Sequence, residues 1–238
     1  MLEAFAWGAL GASSLLIGAA VGLAFDVPTR VVGLVLAFGA GTLVSALTFE
    51  LTEEAYALGG ADVVALGLGL GALTYFAGNV YVCRRGGEGR MDPETEPNSG
   101  SSLLLGAVLD GIPESAVIGI SLIGGGGVGV PVLAAVFISN LPEGLGAASG
   151  MKKSESGGRV LVTWLAVVVA CAIASALGYM LLDDASDNLV GLLQSFAAGA
   201  VLTMLADTMF PEAFEHGGRA AGLLTTLGFA LAYLLSTL

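Results

Sequence analysis

The sequence predicts an all-α polytopic membrane protein of about eight transmembrane helices, and three observations predict it. Of 238 residues, 55% are hydrophobic and only 12% charged, with a mean hydropathy of +0.88; a soluble globular domain, with its usual quarter or so of charged residues, is excluded. The apolar residues run in stretches of about 20, the length that crosses a hydrocarbon core of roughly 30 Å. All eight Lys and Arg residues fall after alternate stretches.

The stretches lie at about residues 4–25, 31–51, 61–83, 102–123, 129–150, 160–182, 189–210 and 219–238. The first has no basic leader, Glu3 being its only early charge, and is too long for the apolar part of a secretory signal, so it reads as a retained span. Helices 1–3 occupy residues 1–83, and residues 84–101 form a polar segment rich in Gly, Pro, Glu and Ser. That segment cannot bury enough surface to fold alone, and it reads as a flexible cytoplasmic loop. Helices 4 and 5 take residues 102–150 and helices 6–8 residues 151–238, all in one transmembrane domain.

Cytoplasmic loops retain basic residues. Here Arg30 follows span 1, Arg84, Arg85 and Arg90 follow span 3, Lys152, Lys153 and Arg159 follow span 5, and Arg219 follows span 7. Both termini are therefore expected outside, with Asp183, Asp184 and Asp187 in an outer loop. A net charge of −12 argues against nucleic acid or anionic lipid as a partner. Cys83 and Cys171 stand singly, giving neither a disulfide framework nor a metal pair, and read as packing residues.

The chain also resembles itself. Phe38 to Ala55 (FGAGTLVSALTFELTEEA) matches Phe196 to Ala213 (FAAGAVLTMLADTMFPEA) through Phe38 and Phe196, Gly41 and Gly199, Leu47 and Leu205, and Glu54 and Glu212. In the expected topology span 2 runs outward and span 7 inward, so the repeat is inverted, as in many secondary transporters with a site between the halves. A second match sets Asp110-Gly-Ile-Pro113-Glu114 in span 4 against Ser139-Asn140-Leu-Pro142-Glu143 in span 5. Together they suggest a three-two-three plan with spans 4 and 5 at its centre.

An ionised carboxylate at the bilayer centre costs at least about 2.5 kcal/mol, so it normally faces a partner or an aqueous path. Asp110 and Glu114 lie one turn apart on one face, with Ser139, Asn140 and Glu143 in matching register. Each glutamate follows a proline, which lacks an N–H and so releases the carbonyl four residues back, here those of Leu109 and Ile138. Carboxylates, hydroxyl, amide and freed carbonyls form an oxygen-rich set that suits a divalent cation. The alternative is a pair of ordinary kinks with protonated glutamates bonded across the bundle. Ser139 and Asn140 also read as helix–helix hydrogen bonds.

Glu50 and Asp207 occupy nearly matching places in spans 2 and 7 and are candidates for the lining of an ion path. Glu53, Glu54, Glu212 and Glu215 lie at span ends, where solvation is the default and metal gathering the alternative. His216, the only histidine, is expected in a short cytoplasmic turn beside Glu212 and Glu215, with the same two readings.

These residues resemble the ZIP family of divalent-metal transporters, which has eight spans, outer termini, a cytoplasmic loop after span 3 and His-Asn-x-Pro-Glu-Gly-like motifs in spans 4 and 5. The resemblance implies metal-binding positions at Asp110, Gly111 and Glu114 and at Ser139, Asn140 and Glu143, with Gly144 completing the second motif. Asp110 and Ser139 stand where the family has histidine, Gly111 where it has asparagine, and span 6 has no acid for a second bridged metal. A site without imidazole fits oxygen-seeking ions as well as zinc.

The implied cargo is therefore zinc, with iron or manganese as competitors, moved into the cytoplasm by rocking one bundle against the other in the cell membrane. No catalytic residue and no resident cofactor are expected. The expected partners are the ion as substrate and the bilayer, with a homodimer left open. A metal-dependent intramembrane hydrolase, a channel and a metal sensor are the alternatives on the same scaffold. The hydrolase would need a substrate groove and a nucleophile constellation, and the sequence offers neither.

Overall fold

The computed structural model describes residues 1–84, 111–122, 129–152, 155–182 and 185–237, and no strand occurs among them. The solvent explains this. In hydrocarbon an unbonded N–H or C=O costs of the order of several kcal/mol, so a chain of this composition closes its backbone bonds within each helix.

The helices are α1 (Leu2–Ala24), α2 (Thr29–Ala46), α3 (Glu53–Cys83), α4 (Gly111–Ile120), α5 (Val130–Met151), α6 (Gly157–Leu182), α7 (Asp187–Met204), α8 (Phe210–Gly217) and α9 (Ala220–Ser236). Five stretches are long and apolar enough to cross a membrane: Leu2–Ala24, Thr29–Tyr81, Val130–Met151, Gly157–Met180 and Asp187–Gly217. Gly111–Ile120 and Ala220–Ser236 are shorter apolar helices. The outer face of α6 exposes Val162, Leu165, Val169, Ile173, Leu177 and Met180, an apolar stripe at helical spacing that lipid favours and water would not.

Two π-helical turns interrupt the rods. Leu47–Thr52 joins α2 to α3, and Leu205–Met209 joins α7 to α8, each without a break in the helix. Gly60, at φ 72° and ψ −176°, then divides α3. That backbone region is open to glycine and costly for side chains, and it lets the chain turn from a short leg continuing α2 into a long leg beside α7. Gly218, at φ 62°, parts α8 from α9 in the same way.

The ends of spans 2 and 7 differ from expectation. Residues 31–51 and 189–210 were the predicted limits, whereas the helices run on to Gly60 and Gly217. The apolar run sets only where lipid ends. Beyond it the turns carrying Glu53, Glu54, Glu212 and Glu215 continue the helix. His216 thus sits in the last turn of α8, not in a loop. Asp110, the first part of span 4, the polar segment after Arg84, Lys153, Asp183 and Asp184 lie outside the described residues.

Close helix approaches fix the relative directions. Gly11, Gly18 and Gly22 of α1 meet Val136, Leu141 and Ser149 of α5 in the same order, so α1 and α5 run parallel. Gly67 and Gly71 of α3 meet Leu192 and Phe196 of α7, also parallel. Gly33 and Gly41 of α2 meet Gly217 and Thr225, so α2 and α9 share a direction. Gly191 of α7 meets Ala55 while Gly33 meets His216, which sets the α2 rod antiparallel to the α7 rod.

Two packed groups result. One joins α1, α5 and α6 around Leu15, Ala148, Trp164 and Cys171, and α4 lies on α6 where Gly119 meets Ser175. The other is built on α2, α3, α7, α8 and α9, with Leu36, Ala40, Tyr75, Met204 and Leu205 at its centre. The groups meet chiefly where α2 crosses α5. Val117 and Ile118 of α4 and Val132, Ala135 and Val136 of α5 also pack into the second core, so α4 and α5 contact both groups.

Candidate functional site

At the α2–α5 seam, small residues let the backbones close up. A Cβ on Gly39 would stand 2.9 Å from the Cα of Ser139, so α2 lies directly on the turn of α5 that carries Ser139, Asn140 and Glu143. Both Ser139 and Asn140 are fully buried. The Ser139 hydroxyl donates to the carbonyl of Val136 at 3.1 Å, leaving its oxygen lone pairs as acceptors. Neither amide atom of Asn140 has a hydrogen-bond partner among the described residues. A buried polar group left in that state costs about 1–3 kcal/mol.

Glu114 on α4 is 1% exposed, and Glu143 on α5 is half-buried with both carboxylate oxygens shut from solvent. Both carboxylates act electrostatically on the thiol of Cys171 of α6, whose hydrogen-bonding neighbour is Ser115. Both glutamates thus lie within electrostatic reach of one buried thiol. Glu114 also faces a narrow space lined by Leu43, Leu47, Leu51, Val132, Val136 and Val201.

Pro142 sits within α5, which stays α-helical across it. The missing N–H still leaves the Ile138 carbonyl without its helical donor. Gly39 lies next to that carbonyl, with 3.4 Å between a built Cβ and the oxygen. Gly144, the last position of the second motif, packs onto the backbone of Leu15, where any side chain would collide; its role is helix contact.

Other candidates spread along the α2 and α7 rods. Glu50 is half-buried in the first π-turn, its Oε2 3.7 Å from a Cβ built on Gly129 at the start of α5. Glu54 is exposed, four residues further along the same rod. Asp207, in the second π-turn, is exposed. Glu212 is half-buried in α8, and His216 lines a pocket with Val27, Thr29, Val32, Leu145 and Ser149 near the end of α5. These residues do not join Glu114 and Glu143: among the described residues no three of His, Cys, Asp and Glu stand together as a metal shell.

Two contributors escaped the sequence reading. Cys171 reads as packing and does pack, yet its Sγ lies 3.0 Å from a Cβ built on Gly111, in the field of both glutamates. Its only sequence signal was a thiol in a span, which is common. Gln194 of α7 is 1% exposed, with its Oε1 lacking a hydrogen-bond partner among the described residues; a long amide in an apolar helix was the signal for it. No family model matches the chain, and no curated protein matches it either.

Proposed function

We propose that the chain is a ZIP-like secondary transporter that carries a divalent metal ion, zinc with iron or manganese as competitors, across the cell membrane into the cytoplasm. The observation that carries the reading is the burial of two carboxylates, Glu114 and Glu143, on neighbouring helices beside the fully buried amide of Asn140. Acidic groups withdrawn from water inside apolar helices are costly unless a cation or proton shares the site. Oxygen ligands from carboxylate, amide, hydroxyl and a proline-freed carbonyl suit a hard or borderline divalent ion.

The finer architecture belongs to the same proposal: eight spanning helices in a three-two-three inverted repeat, both termini outside. It is supported by the antiparallel α2 and α7 rods with π-turns at matching places. It is supported as well by the gathering of basic residues at one end. Lys152 pairs with Asp26 at 3.3 Å, Gly33 meets Gly217 near Arg30 and Arg219, and Leu23 meets Gly157 near Arg159.

Transport follows from the two packed groups. The ion is held by residues of the α1, α4, α5 and α6 group, and the apolar residues facing Glu114 from α2 and α7 close one approach to it. Rocking the groups along the α2–α5 seam would move that closure to the other side. Uptake of radioactive zinc into proteoliposomes tests the reading. Saturable uptake, lost in Glu114→Ala and in Glu143→Ala, is expected; flux that does not saturate would mean a channel, and no flux would overturn transport.

A further inference from the structure

Two spaces open along the α2–α5 seam, one on each side of the turn that carries Ser139 and Asn140, and they differ in size and lining. Toward the start of α5, the space faced by Glu114 is otherwise walled by apolar residues, Leu43, Leu47, Val132 and Val136 among them. It measures about 10 Å³, the room of about one water. Toward the end of α5 a cavity of about 40 Å³ is lined by Thr29 of α2, Leu145, Gly146 and Ser149 of α5 and His216 of α8. That is room for an ion together with about two waters.

A glycine puts His216 there. A Cβ on Gly33 would stand 2.7 Å from the Cβ of His216, so the missing side chain lets the last turn of α8 close onto α2. Gly33 precedes Gly39, which rests on Ser139, by six positions in the same helix, about 9 Å at roughly 1.5 Å per residue. Such a separation is about four times a metal–ligand bond of roughly 2.0–2.3 Å, and neither Glu114, Asn140 nor Glu143 lines the cavity. The cavity is therefore a place apart from the buried carboxylates. From α5 the Ser149 hydroxyl donates to the carbonyl of Leu145 at 2.8 Å, which leaves its lone pairs as acceptors. Lys152, three positions further on, is paired with Asp26 at 3.3 Å, so its charge is offset.

We propose that this cavity is a second metal site, in which the imidazole of His216 binds a divalent ion that favours nitrogen, Zn²⁺ rather than Mg²⁺, while the hydroxyls of Ser149 and Thr29 and water complete its shell. One imidazole and two neutral hydroxyls hold an ion weakly, so the site exchanges its ion readily. It supplies the nitrogen ligand that the carboxylate-bearing turns lack. Its walls come from α2 and α8 on one side of the seam and α5 on the other, so a bound ion bridges them. Its role as a station for the transported ion rests on the transporter reading. Its existence as a binding site does not.

His216 is the only histidine, which makes the site readable by itself. The purified full chain, labelled with ¹³C at histidine and free of any histidine tag, gives one ring resonance to follow by nuclear magnetic resonance during Zn²⁺ titration. A saturable shift with Zn²⁺ and none with Mg²⁺ at the same concentration is expected, and it should survive the Glu114→Ala/Glu143→Ala double change. Ser149→Ala should weaken Zn²⁺ binding about tenfold, the low end for losing a group that supports a metal ligand. Gly146→Leu, which fills the cavity, should abolish the shift, and Thr29→Val removes the other hydroxyl should Gly146→Leu fail to fold. The inference is overturned by the absence of a saturable shift, by its loss in the double glutamate variant, or by a shift indifferent to Ser149→Ala and Thr29→Val, as a solvated histidine would give. Zinc uptake by the unmodified chain is a separate readout: its absence would sink the transporter reading while leaving the histidine titration standing.

Discussion

The α2 and α7 rods share a backbone but differ in how their acids are used. Both continue through a π-turn at the same place in the repeat, Leu47–Thr52 and Leu205–Met209. Both rest on a neighbouring helix through a matched glycine: Gly41 lies on Thr225 and Gly199 on Leu68. Yet Glu50 is half-buried against α5, and Asp207 is exposed. Registering Leu47 on Leu205 explains the difference, because Glu50 then faces Thr208 and Asp207 faces Phe49. One residue of offset turns a side chain by roughly 100° around a helix. Phe49 points at α9, its ring centroid 5.0 Å from that of Tyr233 and 6.1 Å from that of Phe229. The two rods thus share a scaffold, and only the α2 rod turns its acid toward α5. Extra backbone carbonyl freedom at π-turns is a common companion of functional sites, and here only the α2 turn carries an acid toward α5.

The comparison can be broken most severely at the site itself. Losing a group that merely orients a metal ligand costs about 10–100-fold, so Glu114→Ala or Glu143→Ala is expected to lower zinc uptake at sub-saturating metal by more than about 100-fold. Proteoliposome influx measures it, and uptake surviving both changes would remove the site. Next in size is the acid on the α2 turn. Glu50→Gln should cut uptake about tenfold at low ionic strength and less at high salt, as expected of a charge that concentrates cations. Asp207→Asn should stay within about twofold under the same conditions, and an equal loss at the two positions would refute the asymmetry.

Protons provide a third test. A carboxylate must be deprotonated to bind metal, so lowering the pH adds a competitor for the same oxygens and affinity falls. Metal binding should be weaker at about pH 5 than at about pH 8, because protons compete with the ion for the same oxygens; unchanged binding across that range would argue against Glu114 and Glu143 as ligands. The smallest effects concern the shared scaffold. Gly41→Ala and Gly199→Ala each force a methyl into backbone and should cost about 1–3 kcal/mol of unfolding free energy in detergent, by similar amounts. A large cost at one and none at the other would mean that the repeat is not structural.

Much of this fold was legible because lipid leaves so few options. Runs of apolar residues near 20 long gave the positions of α1, α5, α6 and α7 to within a few residues. The ends of the α2 and α7 rods were not legible, since a helix in water or at a headgroup layer continues without an apolar signal. The π-turns were hidden for a different reason: one extra residue in a turn is a choice made by packing, and no residue type encodes it. The burial of the Glu114 and Glu143 carboxylates could be read from the repeated proline–glutamate step. The approach of Cys171 could not, because it comes from another helix through contacts that glycine and alanine make possible without specifying.

The contact between Gly39 and Ser139 carries a mechanical consequence. Two rigid groups that slide need clearance, and here the clearance at the point nearest the ligands is the width of a hydrogen atom on α2. A methyl there would stand 2.9 Å from the Ser139 Cα. Position 39 is thus a tight contact surface, and a valine in it would act as a wedge, pushing the turn of Ile138, Ser139 and Asn140 away from α2.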